Sequence, residues 1–402
     1  MVDEKVVYQK NESFGKIDLL LENYNEKEKE TLLNLYNFKE IFVNIPLKSS
    51  DGEIKNVTGV KVDNFLSYNN TFSNLRIHPY FDINYFRDFA FLNTITFSLF
   101  GIPVNGSFSS ILMDPFDLST DEKEEIFKMF SSLLKNEILE KDIFFSTDIN
   151  SNYNDIKIFT DSFHLDEFDR KKIISFIDYY NDLKKDIDID KLNEYSIFYS
   201  ILKYCELKKK SVDDLSVVIY GFGEKPYFLS KILKREGFNI VGILTHLGSF
   251  YDPYGIQIDE FYKNYLSNFS SREETRYKKI DLYTFENVRS DISIFYIDIF
   301  KKDFLKNINT SLIVEGRKML FGEMESEIMK EKGIELLPSE LTCSGEIILY
   351  DELRKNRIPK KIEIMIQKEI YKKMDEIFKA DGEDVRTKII KISFKNILEN
   401  LS

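Results

Sequence analysis

The sequence predicts an α/β protein of two to three domains whose second half holds a parallel, doubly wound sheet. Length is the first reason: 402 residues at roughly 150 per domain leave ample chain for more than one core. The second is a β-like run, Leu215 to Tyr220, followed by Gly221-Phe222-Gly223, a helical stretch to about Glu236, Gly237 as its stop, and a strand from Asn239 to Leu244. Strand, Gly-x-Gly turn, helix and strand within about 30 residues make a βαβ unit. The third is the alternation that follows, with short β runs at Ile292 to Ile297, Ser311 to Val314 and Ile334 to Leu337 separated by helical segments.

The first half follows in order. Residues 15–37 carry helical periodicity, and Ile41 to Pro46 and Val57 to Val62 read as a hairpin across the turn Ser50-Asp51-Gly52. Asp82 to Phe100 has the composition of a buried helix, and Gly101 to Asp117 reads as a loop. Thr120 to Asn136 is an amphipathic helix with capping residues and an acidic first turn. Leu165 to Lys185 reads as a further charged helix running into the acidic stretch Asp186 to Asp190, a domain boundary. Leu192 to Lys210 is helical, and the tail from Pro359 reads as two helices joined near Gly382.

Composition narrows the class. Sixty-eight acidic against 56 basic side chains give a net charge of −12, which argues against a dedicated nucleic-acid binder. Two isolated cysteines, Cys205 and Cys343, form no disulfide framework, and three scattered histidines show no metal-ligand spacing. The most apolar stretch, Phe89 to Val104, is too short and polar to span a bilayer. These features predict a soluble cytoplasmic protein without a metal, nucleic acid or membrane partner. Glycine is scarce, 16 in 402 residues or about 4% against an average of ~7%.

The Gly221-Phe222-Gly223 turn departs from a dinucleotide fingerprint. The third glycine position is Pro226, Glu224 sets a negative charge where a pyrophosphate would sit, and the second strand ends in Leu244-Thr245-His246 without the carboxylate that holds a ribose diol. A Rossmann-type unit that binds no dinucleotide accounts for the segment equally well.

In its order of motifs the chain resembles the glutamate, leucine, phenylalanine and valine dehydrogenases. Within Ser216 to Gly255, V-V-I-Y-G-F-G through G-S-F-Y-D-P-Y-G is similar to that family's V-x-Q-G-F-G-N-V-G and G-G-I-Y-D-P-x-G. Leu312 to Gly316 resembles I-V-E-G-A-N, Gly333 to Pro338 resembles G-I-x-x-x-P-D, and Val385-Arg386-Thr387 resembles L-R-T-A-A. Upstream, Asp51-Gly52 with Thr58-Gly59, Leu75-Arg76 with His78-Pro79, and Gly101-Ile102-Pro103 with Asp114-Pro115 follow the family in order. The resemblance spans about residues 35–402 and implies a two-domain amino-acid-dehydrogenase-like fold with a Rossmann-like second domain. It also implies NAD or NADP as cofactor, oxidative deamination of an amino acid, and oligomers formed through the N-terminal domain.

The departures fall on the chemistry. The Lys of G-P-x-K-G-G, which binds the substrate carboxylate, corresponds to Phe72, and the Lys of G-G-G-K-G-G, used at the reacting α-carbon, corresponds to Phe108. Phenylalanine neither pairs with a carboxylate nor moves a proton. Glycines of the same motifs correspond to Ser73, Asn74, Asn105, Ser107, Ser109, Ser110, Pro226 and Glu346. With a one-residue insertion, the family's proton-shuttling Asp falls on Asp148, where an ordinary loop or cap aspartate is an equal account. Ser196 takes the place of a Thr near the nicotinamide, and Gly221, Gly223 and Thr245 are what remains of the cofactor-binding set.

The expected domains are 1–186, of substrate and oligomerisation type; 187–350, Rossmann-like; and 351–402, C-terminal helices returning across the hinge. The leading functional expectation is a catalytically impaired or inactive member, a pseudoenzyme serving as a non-catalytic or regulatory subunit in a homo-oligomer or beside an active relative. The alternatives are a diverged NAD(P)-dependent oxidoreductase using Asp148 with an apolar substrate at Phe72 and Phe108, and a small-molecule sensor whose interdomain cleft closes on a ligand.

Overall fold

The computed structural model describes residues 20–48, 54–64, 66–138, 142–148, 150–163, 173–175, 179, 188–213, 215–269, 277–297, 302–318, 321–379 and 382–401. The chain divides into two compact units, Met1–Lys185 with Ile392–Ser402, and Asp186–Lys391.

In the first unit, helix α1 (Glu26–Leu33) opens with a capping box from Asn25 and precedes β1 (Phe38–Lys48), which pairs antiparallel with β2 (Ile54–Asn64) as the hairpin reading expects. The predicted turn residues Asp51 and Gly52 lie outside the described residues. β3 (Asn70–Ile77), α2 (Ile83–Leu99), β4 (Asn105–Leu112), α3 (Thr120–Ile138), β5 (Asp142–Thr147), α4 (Tyr153–Asp161) and β6 (Ile173–Ser175) complete a sheet of order β1-β2-β4-β3-β5-β6. β3 runs parallel to both β4 and β5.

Two segments fold differently from their sequence pattern. The segment read as a loop, Gly101 to Asp117, contains the central strand β4, which the sequence hides because Asn-Gly-Ser-Phe-Ser-Ser shows no apolar run. Of its buried small polar side chains, Ser107 and Ser109 hydrogen-bond to Ser73 of the neighbouring strand. The charged helix expected over 165–185 is interrupted by strand β6, and most of the remainder lies outside the described residues.

Alternation along β3, β4 and β5 sorts the unit into layers. Leu75, Ile77, Ile111 and Phe145 face α3 and α4, meeting Phe127, Phe130, Leu134 and Phe159 in one core. The opposite face carries α2, which is buried nearly all round and not amphipathic. Its second cover belongs to the same unit: from the C-terminal helix, Ser393 Oγ donates to the Ile95 carbonyl at 2.9 Å and Asn396 Nδ2 to the Ser98 carbonyl at 2.7 Å. Gly106 lets α2 lie on β4, since a Cβ there would sit 2.0 Å from the Ala90 carbonyl oxygen.

In the second unit, α5 (Leu192–Leu207), β7 (Ser216–Tyr220), α6 (Glu224–Arg235), β8 (Asn239–Thr245), β9 (Gly248–Tyr251), α7 (Ile258–Leu266), β10 (Lys278–Ile280), β11 (Arg289–Phe295), β12 (Asn309–Glu315) and β13 (Glu335–Leu337) build a sheet of order β10-β9-β8-β7-β11-β12-β13. The run β8-β7-β11-β12-β13 is parallel, as expected for a Rossmann-like domain, and Gly237 ends α6 with φ +105°. β9 and β10 extend the sheet antiparallel, a hairpin-like edge too short to carry a period in the sequence. Helices α8 (Gly345–Arg354), α9 (Ile362–Lys379) and α10 (Val385–Leu401) follow, and the last crosses from the second unit into the first at Ile392. Among the described residues no helix is long and apolar enough to cross a membrane.

Candidate functional site

β3 sets Phe72 beside Gly106 and Asn74 beside Phe108 of β4, and Phe72 beside Phe144 of β5. Both phenylalanines, which the resemblance sets against the family's lysines, point at α2. Phe72 stacks on Phe144 at 5.5 Å between centroids and meets Phe97 at 5.1 Å, while Phe108 meets Phe89 at 4.5 Å and Phe86 at 5.0 Å. Each is 1% exposed. An apolar substrate would therefore not reach them as they are packed, and their role is to fill the core beneath the helix, each contributing about 2 kcal/mol by burial.

Asp148 stands just beyond β5 and is not free. Arg76 Nε donates to its Oδ2 at 2.9 Å, with Nη2 at 2.8 Å from the same oxygen, and Nη1 donates to the Tyr85 hydroxyl at 2.9 Å. The guanidinium also lies 5.1–5.4 Å from the ring centroids of Phe108, Phe89 and Tyr85. Burial alone would lower the Arg76 pKa, but Asp148 and Tyr85 outweigh it and hold the group above its ordinary value. The structure thus joins Phe108 and Asp148 through Arg76, leaving Phe72 in the neighbouring aromatic stack.

A lysine from another strand does enter this unit, on the other side. Lys61 of β2 is fully buried, paired with Asp63, and donates to Ser107 Oγ at 3.1 Å. Ser107 donates to Ser73 at 3.1 Å, and Ser73 lies 2.9 Å from Ser109. Lys61 is opposite Ser109 in register, so it shares that face and not the face of Phe108. Burial lowers its pKa and Asp63 partly restores it. Ser107, Ser73 and Ser109 thus form a hydrogen-bonded line between β4 and β3, which Lys61 extends to β2. Asn74 and Asn105 are similarly occupied: Asn93 Nδ2 donates to Asn74 Oδ1 at 3.1 Å, and Asn105 Nδ2 donates to the Tyr68 carbonyl at 2.8 Å.

In the second unit Gly221 and Thr245 meet at the ends of β7 and β8, where the Gly221 N–H donates to the Leu244 carbonyl at 3.0 Å. Gly221 has φ +97°, and a Cβ there would sit 2.7 Å from Ile297 Cγ2, so glycine is required. Gly223 is extended at φ 174° with open space around it. Thr245 Oγ1 accepts the Leu247 N–H at 2.9 Å and donates to the Gly248 carbonyl at 3.2 Å, closing its own turn. Tyr265 of α7 donates to the Phe222 carbonyl at 3.1 Å and lies 3.5 Å from His246 Nδ1.

Sequence reasoning missed two buried polar clusters. Glu194, in the first turn of α5, is almost fully buried, and burial pushes its pKa up to about 7 against a partial offset from Lys225. Neither its Oε2 nor the buried Tyr296 hydroxyl has a hydrogen-bond partner among the described residues. A glutamate in a helix's first turn ordinarily reads as a dipole complement, so nothing in the sequence marked it. Ser196 Oγ donates to the Thr342 carbonyl, just before α8, at 2.5 Å, and Asn193 Nδ2 donates to Glu346 Oε1 at 3.1 Å, tying α5 to α8. The second cluster joins two segments of the resemblance. Arg386 Nη2 donates to Glu315 at 2.7 Å and Nε to Glu340 at 2.9 Å, with both carboxylates buried. Among the described residues no group of three His, Cys, Asp or Glu side chains could hold a metal.

Fold and sites define a two-unit α/β protein of the amino-acid-dehydrogenase type. The chain belongs to the glutamate/leucine/phenylalanine/valine dehydrogenase family: the dimerisation-domain profile of that family matches residues 38–164, and the Glutamate/Leucine/Phenylalanine/Valine dehydrogenase profile matches 191–398. It is 24% identical over 322 residues to the NAD-specific glutamate dehydrogenase of Staphylococcus aureus, covering 76% of this chain and 74% of that one. It is 25% identical over 342 residues to the glutamate dehydrogenase of Aeropyrum pernix, covering 83% and 79%. Its fold is that of the hetero-hexameric glutamate dehydrogenase of Thermus thermophilus in its Leu-bound form, with TM-score 0.81, 14% identity and 97% and 96% of the two chains covered. It is also that of the glutamate dehydrogenase of Peptoniphilus asaccharolyticus, with TM-score 0.75, 17% identity and 96% of each chain covered.

Proposed function

We propose that this chain is a catalytically impaired or inactive member of its family, serving as a non-catalytic or regulatory subunit in an oligomer. The observation that carries the reading is the fate of the two lysine positions. Phe72 and Phe108 are core residues beneath α2, and the nearby acid Asp148 is held by Arg76. Carboxylate binding and proton transfer at the α-carbon then lack their groups, and general acid–base catalysis alone is worth roughly 10²- to 10⁴-fold. A subunit role is supported by the intact scaffold and by the hetero-hexameric assembly of the Thermus thermophilus protein. The setting we propose is the cytoplasm, where the buried thiols Cys205 and Cys343 stay reduced.

The test has two arms. Purified chain is assayed for NAD- and NADP-dependent deamination of glutamate, leucine, phenylalanine and valine, with no turnover above background expected; measurable turnover overturns the reading. Co-expression with a catalytic family member is expected to yield a mixed oligomer by size-exclusion chromatography and mass spectrometry. Separate elution removes the partner role.

A further inference from the structure

A dinucleotide lying on a Rossmann-type unit needs the space between the first two βα turns. Its pyrophosphate sits over the glycine turn at the helix N-terminus, and its adenosine ribose sits against the end of the second strand. In this chain those places are the Gly221-Phe222-Gly223 turn and the end of β8. Tyr265 bridges them, with its hydroxyl 3.1 Å from the Phe222 carbonyl oxygen and 3.5 Å from His246 Nδ1, and its ring edge-on to His246 at 5.6 Å between centroids.

The bridge is part of a layer. Phe222 meets Tyr265 at 5.4 Å and Phe261 at 5.1 Å, and Tyr262 stacks on Tyr227 of α6 at 3.9 Å with the rings 9° apart. Aromatic rings therefore run from the first turns of α6, across the glycine turn, to the residue after β8. Neighbouring groups set charges of both signs at the turn. Glu224 presents an exposed carboxylate at the start of α6, with Lys191 Nζ 3.9 Å away and Lys225 next in the helix, while Pro226 offers no N–H and Thr245 is consumed by its own turn. The strand end carries His246 where a ribose would need a carboxylate. The residues present do not fit a dinucleotide.

We propose that Tyr265 is a built-in plug of the adenosine groove, closing the second unit to NAD and NADP with the aromatic layer that stands where adenosine would lie. The inference rests on the second unit alone and is independent of the lysine positions in the first.

The test is calorimetric titration of the full-length chain with NADH, NADPH and ADP-ribose, the last carrying the adenosine half without nicotinamide. The native chain is expected to show no saturable binding tighter than about 1 mM. Tyr265→Ala is expected to bind ADP-ribose at least about tenfold more tightly than the native chain, while Tyr265→Phe keeps the ring and stays closed. Tyr265→Ser serves as a second truncation if the alanine variant does not fold. Micromolar binding of either reduced cofactor by the native chain overturns the plug, as does a truncation that melts like the native chain and gains no affinity. Native chain that binds NADH without turnover overturns the plug and leaves the proposed function standing.

Discussion

Arg76 and Asp148 lie 72 residues apart in the chain and meet at the C-terminal ends of two adjacent parallel strands, with the guanidinium 2.8 Å from the carboxylate and seated over the Phe108 ring. β3 and β5 deliver them because parallel neighbours end on the same edge of a sheet. One side chain thereby neutralises Asp148 and caps the aromatic cluster around Phe108.

The pair should therefore contribute to stability. Asp148→Asn leaves a guanidinium largely buried and uncompensated, at a cost of about 3 kcal/mol in urea unfolding, whereas Tyr85→Phe removes one hydrogen bond and costs about 1 kcal/mol. Unchanged stability in Asp148→Asn would show that the aspartate is not a structural partner.

Restoring the family's lysines should fail for a packing reason. Phe72→Lys or Phe108→Lys would place an ammonium among Phe86, Phe89, Phe97 and Phe144, and each should lose more than about 3 kcal/mol of unfolding free energy. Neither should gain NAD-linked deamination. A stable Phe108→Lys protein that turns over glutamate would mean that α2 can lift away from the sheet.

Glu194 sets a pH dependence. Its pKa is raised by burial from 4.5 to about 7 in the folded chain. Between those values the folded state holds a proton that the unfolded state releases, so this group makes stability fall as pH rises through the window. The difference corresponds to about 3 kcal/mol at pH 8. Glu194→Gln should flatten that slope in denaturation curves at pH 5 and pH 8 and be the more stable protein at the higher pH. An unchanged slope would mean that Glu194 is already ionised when folded.

The Arg386 network should hold the start of α10 to β12. Arg386→Met strands Glu315 and Glu340, both buried, and breaking such a set costs about 3–5 kcal/mol, on the order of 10 °C in the melting temperature. Glu315→Gln placed in the same background should recover part of the loss. Additive effects in that double-mutant cycle would contradict a shared network.

Much of the architecture was legible because it is carried by local pattern. The βαβ unit around Gly221 announces itself by a β run, a turn residue that must take positive φ, and a helix with its stop. The central strand β4 did not, since its two buried apolar side chains, Phe108 and Ile111, are set among small polar residues whose hydroxyls pair between strands. The two antiparallel edge strands were too short to show a period.

Of the site, the sequence by itself determined which residues stand at the positions the resemblance singles out: Phe72, Phe108, Pro226 and His246. Those are identities at positions, and no folding can change them. Only the tertiary structure decided what these side chains do. A strand turns successive residues to opposite faces, so whether Phe108 lines a site or fills a core depends on which helix covers its face. Likewise, the partners of Asp148 and of the Phe222 carbonyl come from 72 and 43 residues away, a separation that strand order and helix docking bridge and local sequence does not encode.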